Sequence, residues 1–562
     1  MALLPTLLAF ALLAWAPPAD PPADPDAPFE QPQPQVDKQN IDELRQGAFG
    51  GQEYAMPFTA EELELSEVLE IALDENVDFQ NRVIAVEISE ANILAALGAY
   101  DVTLTAGVEL SLSKTTPRGS AFVFSRGSRS QTAYIGLARK LETGGNISLR
   151  VELSRTVTDQ PNNPFAATSG GVSTLAQYQI RPTLSFSHPL LKGMGLKVNR
   201  AQINQAKLAR STAEANELSQ AQNMVRDIVS AYWDVLFAKR DLANKHQSVE
   251  LAKQQLDRTN AQVRAGRLAA VESKAVEQSL AQRETDVILA ENRLLESSLT
   301  LRTLMGQEFA DRDTLGVLPS TDPEAFEVDV IDTQTAIESA LANNPQVRQL
   351  EVALASKRID EVVQANNRLP QLDFTANYSP AGRSVDSSPS AQSGDPGSRG
   401  SWGEAFRNFI TEDVARDGLF AEYTVTGALD LTWSIQNRTA KGNHQRVLAE
   451  IRQAELNLKQ IRQTTSTSVI RANNNLRSAA KRYELANLSV ELAEQNLAAE
   501  QARFEVGRST NYDVLFRIDE LTAAQSTTLQ AQIDYLKAKV EMQSLTGEIL
   551  PAYGLDLPGV DR

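Results

Sequence analysis

Read for the spacing of its apolar side chains, the chain moves between two periods. Three-and-four spacing, the mark of helices with one dry face, begins near Leu65 and again near Thr333. Between the helical stretches the period falls to two. In DVTLTAGVELSLS, residues 101–113, Val102, Leu104, Ala106, Val108, Leu110 and Leu112 are apolar, while Thr103, Thr105, Glu109, Ser111 and Ser113 are polar. The same alternation runs through YQIRPTLSFS (Tyr178, Ile180, Leu184, Phe186), PQLDFTANYS (Leu372, Phe374, Ala376, Tyr378) and AEYTVTGALDLTW (Tyr423, Val425, Leu429, Leu431, Trp433). Each predicts a strand with one dry and one wet face.

A further hairpin is predicted in TAYIGLARKLETGGNISLRVELSR, turning at Glu142-Thr143-Gly144-Gly145 with Ile147, Leu149, Val151 and Leu153 on one face. The second half has no counterpart. It carries instead a Ser/Gly/Pro/Asp loop over 380–401 and a short amphipathic stretch over 402–418.

Glycine and proline set the lengths of the helices. The 70 residues between Gly195 and Gly266, and the 64 between Gly442 and Gly507, contain neither. They predict helices of roughly 100 Å. After each of these glycines 39 breaker-free residues follow, up to Gly306 and Gly547, enough for about 60 Å. Each half therefore offers one long and one shorter antiparallel helix, reversing at QVRAGRLAAVE and RFEVGRSTNYD. In the second half Leu485, Leu488, Leu492, Ala499, Ala502 and Val506 fall on a three-four spacing and predict the packed seam.

The two halves also align with each other. At an offset of 268, Leu69, Glu70, Ala72, Leu73 and Asn76 face Ile337, Glu338, Ala340, Leu341 and Asn344. Beyond the strands the offset is 241 without an indel, with Gly266, Arg267, Leu304 and Gly306 facing Gly507, Arg508, Leu545 and Gly547. One inserted residue turns every later helical side chain by about 100°, so a constant offset is what rigid helices impose. The predicted organisation is a first repeat over 61–306 with strands in 101–188, a linker over 307–332, a second repeat over 333–549 with strands in 370–433, and a tail over 550–562.

Composition narrows the setting. Residues 1–16, MALLPTLLAFALLAWA, read as a signal peptide ending in Ala14-Trp15-Ala16, although no Lys or Arg precedes the apolar run and Pro17 leaves the cleavage site open. Residues 17–60, dense in Pro, Asp and Gln, read as a flexible leader. Past the signal no run approaches the roughly 18 apolar residues of a membrane-spanning helix, so entry into a membrane is expected through β-strands, about ten residues long and tilted. A net charge of −18 argues against nucleic acid as a partner. The absence of cysteine excludes disulfides, thiol catalysis, zinc-thiolate sites and a lipid-bearing N-terminal cysteine. His188, His246 and His444 are too far apart to form a metal motif. No nucleophile-base pair, phosphate loop or metal cluster is visible, so no catalytic residue, cofactor or metal site is expected, and the chain is read as no enzyme.

Four alternating strands leave two unpaired edges, and lipid does not tolerate open edges, so closure requires several copies. The order helix, strand hairpin, long helix, glycine turn, shorter helix, given twice, resembles the TolC family of outer-membrane efflux and secretion channels. The resemblance covers about residues 65–549 and rests on ALANNPQVRQLEVALASKRIDEVVQANNRLPQLDF at 340–374, SHPLLKGMG at 187–195 and the two glycine words. It implies an α+β membrane protein: a long antiparallel α-helical barrel continuous with a transmembrane β-barrel of twelve strands, closed by trimerisation, with a mixed α/β belt. It further implies a homotrimer in the outer membrane of a Gram-negative-type bacterium, extending into the periplasm. Partners would be outer-membrane lipid, a periplasmic membrane-fusion adaptor and, through it, an inner-membrane pump, in a tripartite efflux or type I secretion assembly.

In such a channel the glycine turns form the periplasmic entrance. The resemblance then makes Gly266, Arg267, Leu268, Gly507, Arg508 and Ser509 the hairpin tips and adaptor contacts. Glu272 and Asp513, each six residues past its tip glycine, become the carboxylates of the constriction, with Phe516 where the family prototype has a second carboxylate. Closely spaced carboxylates would make a negative, pH-responsive ring. The predicted hairpin over about 131–155 departs from the family pattern and leaves two places open, the wall of the barrel or its outer rim. The cargo and the class of pump are also open. A different reading of the same patterns is a periplasmic or surface coiled-coil scaffold whose strands form a water-soluble sheet.

Overall fold

The two periods become two kinds of element. The computed structural model describes residues 58–114, 127–161, 172–307, 316–321, 332–386, 397–411 and 422–555. The expected signal peptide, the leader up to residue 57, parts of the expected linker (308–315 and 322–331), the end of the amphipathic stretch beyond residue 411 and the tail beyond residue 555 lie outside them.

Chain order begins with β1 (Ala60–Leu63), α1 (Leu65–Glu75) and α2 (Val77–Leu97), followed by four strands, β2 (Thr103–Lys114), β3 (Gly127–Lys140), β4 (Asn146–Pro161) and β5 (Val172–Pro189). A single turn, α3 (Leu196–Asn199), leads into the long helix α4 (Ala201–Arg264) and the shorter α5 (Ala270–Met305). After β6 (Gly316–Pro319), the second half has α6 (Thr333–Asn343), α7 (Pro345–Asn366), β7 (Gln371–Val385), α8 (Trp402–Thr411), β8 (Glu422–Thr432), the long α9 (Arg438–Glu505), α10 (Asn511–Thr546) and the short α11 (Ile549–Ala552).

Local chemistry explains the breaks. Asn76 ends α1 and caps α2, its Oδ1 accepting from the Phe79 N–H at 2.9 Å. Asn344 does the same at α7, accepting from Gln346 and Val347, with Pro345 at the first helical position, where its missing N–H costs nothing. Gly306 and Gly547 close α5 and α10 in the left-handed conformation, at φ 81° and 76°.

β2 to β5, β7 and β8 form one antiparallel sheet in the order β2-β3-β4-β5-β7-β8. The expected hairpin is β3–β4 and lies between β2 and β5, so among the described residues this sheet has six strands. Its registers put Leu104, Leu137, Leu149, Leu184, Tyr378 and Val425 in one row across all six strands. The opposite face carries Thr105, Arg150, Thr183, Ser379 and Thr424. These rows make one face apolar from edge to edge and the other polar; further from the helices the apolar face also carries Arg129, Gln131 and Arg155. The turn between β3 and β4 sits at the helical end of the sheet, where Glu142 pairs with Arg200 and Gly195 donates its N–H to the Thr143 carbonyl at 2.9 Å.

One expectation about this region is corrected. β7 continues through Pro380 to Val385, where the composition read as loop. Its Gly382 leaves room for α8, whose Ala405 carbonyl and Phe409 side chain occupy the space a Cβ would take. α8 lies on the apolar face, with Trp402 edge-on to Tyr178 at 5.2 Å and Glu404 accepting from the Ser384 hydroxyl at 2.8 Å.

Below the sheet the helices lie side by side. Next to the strands the order is α2-α4-α7-α9, and further down it is α5-α4-α10-α9. Where the two levels meet, β1 and β6 pair in parallel, and Val68, Leu69, Ile228, Tyr232, Leu301, Val317 and Ile549 form the largest buried cluster. The Tyr232 hydroxyl donates to the Leu63 carbonyl and accepts from the Thr321 N–H, both at 3.1 Å. That tie binds the long helix to the small sheet.

Two further expectations bear on the helices. The stretch Val77–Tyr100 does reach the length and mean hydropathy, 1.4 over its best window, of a membrane-crossing helix. Averaging lets Val, Ile and Ala outweigh its charged residues, which interrupt any continuous apolar run. The predicted seam of α9 is also displaced. Leu485, Leu488, Leu492, Ala499, Ala502 and Val506 are exposed, and the side facing α10 is built from Ala479, Ala493, Leu497 and Phe504. α9 carries two apolar stripes, and periodicity alone does not say which is covered within one chain.

Candidate functional site at the hairpin tips

The two hairpins, α4–α5 and α9–α10, reverse through identical backbone devices. Gly266 and Gly507 both have φ 71°. The Gly266 N–H donates to Val263 and the Arg267 N–H to Gln262, both at 2.9 Å, while Gly507 and Arg508 donate to Phe504 and Arg503 at 3.0 and 2.9 Å. Two otherwise orphaned carbonyls at each helix end are thereby satisfied. A Cβ at either glycine would meet nothing within 4 Å. The demand for glycine is therefore one of backbone conformation alone, since an L side chain is disfavoured at positive φ.

The residues around the turns divide by exposure. Arg267 and Arg508 are exposed, and Ser509 is half-buried. Leu268 crosses from the first hairpin and packs against the core of the second, formed by Leu497, Phe504, Val514 and Ile518.

The two expected carboxylates are engaged differently. Asp513 is the third residue of α10 and belongs to a capping box: it accepts from the Thr510 N–H at 3.1 Å and the Thr510 hydroxyl at 2.7 Å, while its own N–H donates back to Thr510 Oγ1. Hydrogen bonds from the Thr510 side chain and then its backbone hold the Asp513 carboxyl below the usual aspartate range. Glu272, in the first turn of α5, instead accepts from Asn511 Nδ2 at 3.4 Å, across the two hairpins. Phe516 is 52% exposed and stacks on Tyr512, itself 75% exposed, at a centroid distance of 6.5 Å.

Asn511 was not singled out by the sequence, yet it ties three residues of the first hairpin to the second. It is buried, and its Oδ1 accepts from Gln255 Nε2 at 2.9 Å and from the Thr259 hydroxyl at 2.8 Å, both on α4. Above it the α4–α10 contact continues as a run of polar pairs. Thr522 donates to Ser248 at 3.3 Å, Ser526 to Asp241 at 2.7 Å and Lys537 to Asp234 at 2.6 Å. Buried Arg283 of α5 joins them, donating to Asp519 at 2.8 Å. Apolar contacts also cross between the hairpins, where Leu251 and Leu268 reach the core of the second, but this run of polar pairs follows the α4–α10 contact along much of its length. The signal was present in the sequence, since Asp234, Asp241, Ser248 and Gln255 recur every seven residues along α4, as one face of a helix does.

The comparisons with known proteins follow this geometry. TolC of Vibrio cholerae is 23% identical over 347 residues, 60% of this chain and 70% of that protein. Among solved structures, the CmeC outer-membrane channel of Campylobacter jejuni superposes with a TM-score of 0.57 at 14% identity, covering 93% of this chain and 94% of that one. The open-state MtrE outer-membrane channel of Neisseria gonorrhoeae gives 0.56 at 15% identity, covering 89% and 95%. At such identities the likeness is one of fold. A family profile described as "Outer membrane efflux protein" matches residues 147–307 and 336–548, more than half of the sequence and both hairpins with their tips. The chain belongs to the outer membrane efflux protein family, and is an outer-membrane channel with a periplasmic extension.

Proposed function

We propose that three copies of this chain close around one axis into a duct, with the sheets forming a transmembrane β-barrel and the helices a tube below it. In this reading the chain is two internal repeats, each supplying a helical hairpin to the ring. The duct is passive and performs no chemistry. Its tips meet a periplasmic adaptor coupled to an inner-membrane pump of a tripartite efflux or type I secretion assembly.

The observation that carries the proposal is that every layer of the chain ends in two unsatisfied edges. In the sheet the edges are β2 and β8, the outer strands of the six. Beside the strands the helical edges are α2 and α9, which expose Ile84, Ile88 and Leu94 on one side and Leu456 and Ile470 on the other. Further down they are α5 and α9, exposing Ile288 and Leu289 against Leu485, Leu488 and Leu492. Apolar surface at both edges of every layer is removed from water when copies join edge to edge. The second apolar stripe of α9 then faces the next copy.

At the entrance, Gly266, Arg267, Gly507, Arg508 and Ser509 present the turns to the adaptor, and Leu268 keeps the two tips together. Glu272, held by Asn511, latches one hairpin to the other. Asp513 holds the turn of its own hairpin, which leaves Phe516 with Tyr512 as the closing ring, three aromatic pairs around the axis. The run of polar pairs between α4 and α10 is a seam along which the hairpins can part and move as units.

Protein purified in detergent is expected to be a trimer, and to conduct ions after insertion into planar bilayers. Extraction from membranes is expected to require detergent. Release of a monomer by high salt would identify a peripheral scaffold and sink the proposal.

A further inference from the structure

We infer that the barrel of this protein has eighteen strands, six from each of three copies, with β3 and β4 in its wall and β2 of one copy paired to β8 of the next. The count rests on the trimer proposed above; the place of the hairpin in the wall does not.

Four observations put β3 and β4 in the wall. They pair along their whole lengths with β2 and β5, from Lys114–Gly127 at one end to Asn146–Ser187 at the other, without a bulge. Their turn docks at the helical end, through Glu142–Arg200 and Thr143–Gly195, so the hairpin spans the sheet from bottom to top and is no ornament of the outer rim. Ile135, Leu137, Leu149 and Leu153 continue the apolar face, and Thr132, Ser148, Glu152 and Ser154 the polar one. Strands that alternate in this way between lipid and water are wall strands.

The two edges are built for each other. β2 runs away from the helices and β8 runs back toward them, so neighbouring copies place them antiparallel. At both edges the apolar residues are more exposed than at the centre, with Val108 at 78% and Leu112 at 81% against Leu184 at 43%. Six is an even number, so closure is antiparallel throughout.

The width of the sheet also fits the helices beneath it. At a strand spacing of about 4.8 Å and a tilt of about 40°, six strands cover about 38 Å of circumference and four cover about 25 Å. Four helices at about 10 Å each cover about 40 Å. Six strands match four helices, so the barrel continues the helical tube at full width. Three copies make a cylinder about 36 Å across at the backbone, where twelve strands at the same tilt would make one of about 24 Å. The exit therefore imposes no narrowing of its own, and selection by size falls to the hairpin tips.

The natural absence of cysteine makes the test direct. Single variants Leu153→Cys and Ser154→Cys on β4, and Ile135→Cys and Thr132→Cys on β3, are probed in outer membranes with a membrane-impermeant maleimide. Native mass spectrometry of each detergent-purified variant gives the copy number. Three chains per particle are expected, with Ser154→Cys and Thr132→Cys labelled at least tenfold faster than Leu153→Cys and Ile135→Cys. Three chains with no difference between the faces would put the hairpin outside the wall, overturning the inference while leaving the trimeric channel standing. Clean alternation in particles of two chains would mean a twelve-stranded dimer, overturning both the count and the trimer.

Discussion

At the scale of single residues, the tips concentrate the strictest demands of the chain. Gly266 has open space on every side, so replacing it with valine meets no clash and only the strain of a β-branched residue at φ 71°, on the order of 1–2 kcal/mol. Spread over a helical hairpin and sheet of this size, such a cost leaves the fold standing and moves the turn. Gly266→Val is expected to assemble normally into outer membranes yet to lose export in a cargo-efflux assay, and Gly507→Val to behave alike. Undiminished export by both variants would place the adaptor contact elsewhere. Asp513 makes a demand that depends on pH. Its folded pKa is depressed by Thr510, so the stabilisation is present above the ordinary aspartate pKa and is lost as pH falls through the lower folded value. The protection of the first amides of α10, their exchange relative to the intrinsic rate at each pH, should therefore be high at neutral pH and fall in acid. Thr510→Ala, which removes the cap, should show the lowered protection already at neutral pH, at a cost of about 1 kcal/mol.

At the scale of elements, the polar seam between α4 and α10 sets how easily the hairpins part. Removing a buried side chain that serves several partners costs about 1–3 kcal/mol, because those partners are left without their bonds. Asn511→Ala strands the Gln255 amide, leaves Thr259 only its bond to the Gln255 carbonyl and frees Glu272. The variant is expected to raise open-channel conductance in planar bilayers several-fold, and an unchanged conductance would show that the latch does not hold the entrance. This seam also shows how far the elements were legible beforehand. Strict alternation located β2, β5, β7 and β8, and the glycines located the helix ends, because each pattern reflects a local constraint of backbone geometry. What the sequence concealed were choices between faces. α9 has two apolar stripes, and the one chosen from periodicity is exposed. Asp241, Ser248 and Gln255 have the composition of a solvated surface, and only the antiparallel course of α10, with Ser526, Thr522 and Asn511 opposite, buries them. At the tips, the geometry of Gly266 and Gly507 was readable from two matching words. The embrace of Asp513 by Thr510 was readable as well, as a Thr-x-x-Asp capping pair.

At the scale of the whole molecule, an apolar row and a polar row cross all six strands on opposite faces, and membrane and water must take one each. That division decides what a charge does at adjacent positions. Leu184 and Thr183 are neighbours on β5, but Leu184 shares its row with Leu149 and Tyr378, whereas Thr183 lies opposite Arg150 and shares a hydrogen bond of 2.9 Å with Ser379. An arginine on the lipid face of a barrel costs about 2–4 kcal/mol at mid-depth and less toward either rim, because its charge loses water without gaining a partner. An arginine on the lumen side keeps its water. Leu184→Arg is therefore expected to lower the fraction of protein assembled in outer membranes, read from the heat-sensitive migration of folded oligomers on gels. Thr183→Arg should assemble at the level of the unmodified chain and act only on ion selectivity in bilayers. Equal assembly of the two variants would mean that neither face meets lipid, and the sheet would then belong to a water-soluble scaffold. The opposite order, with Thr183→Arg the defective one, would mean that the apolar face lines the interior and that the copies join with their sheets turned inside out.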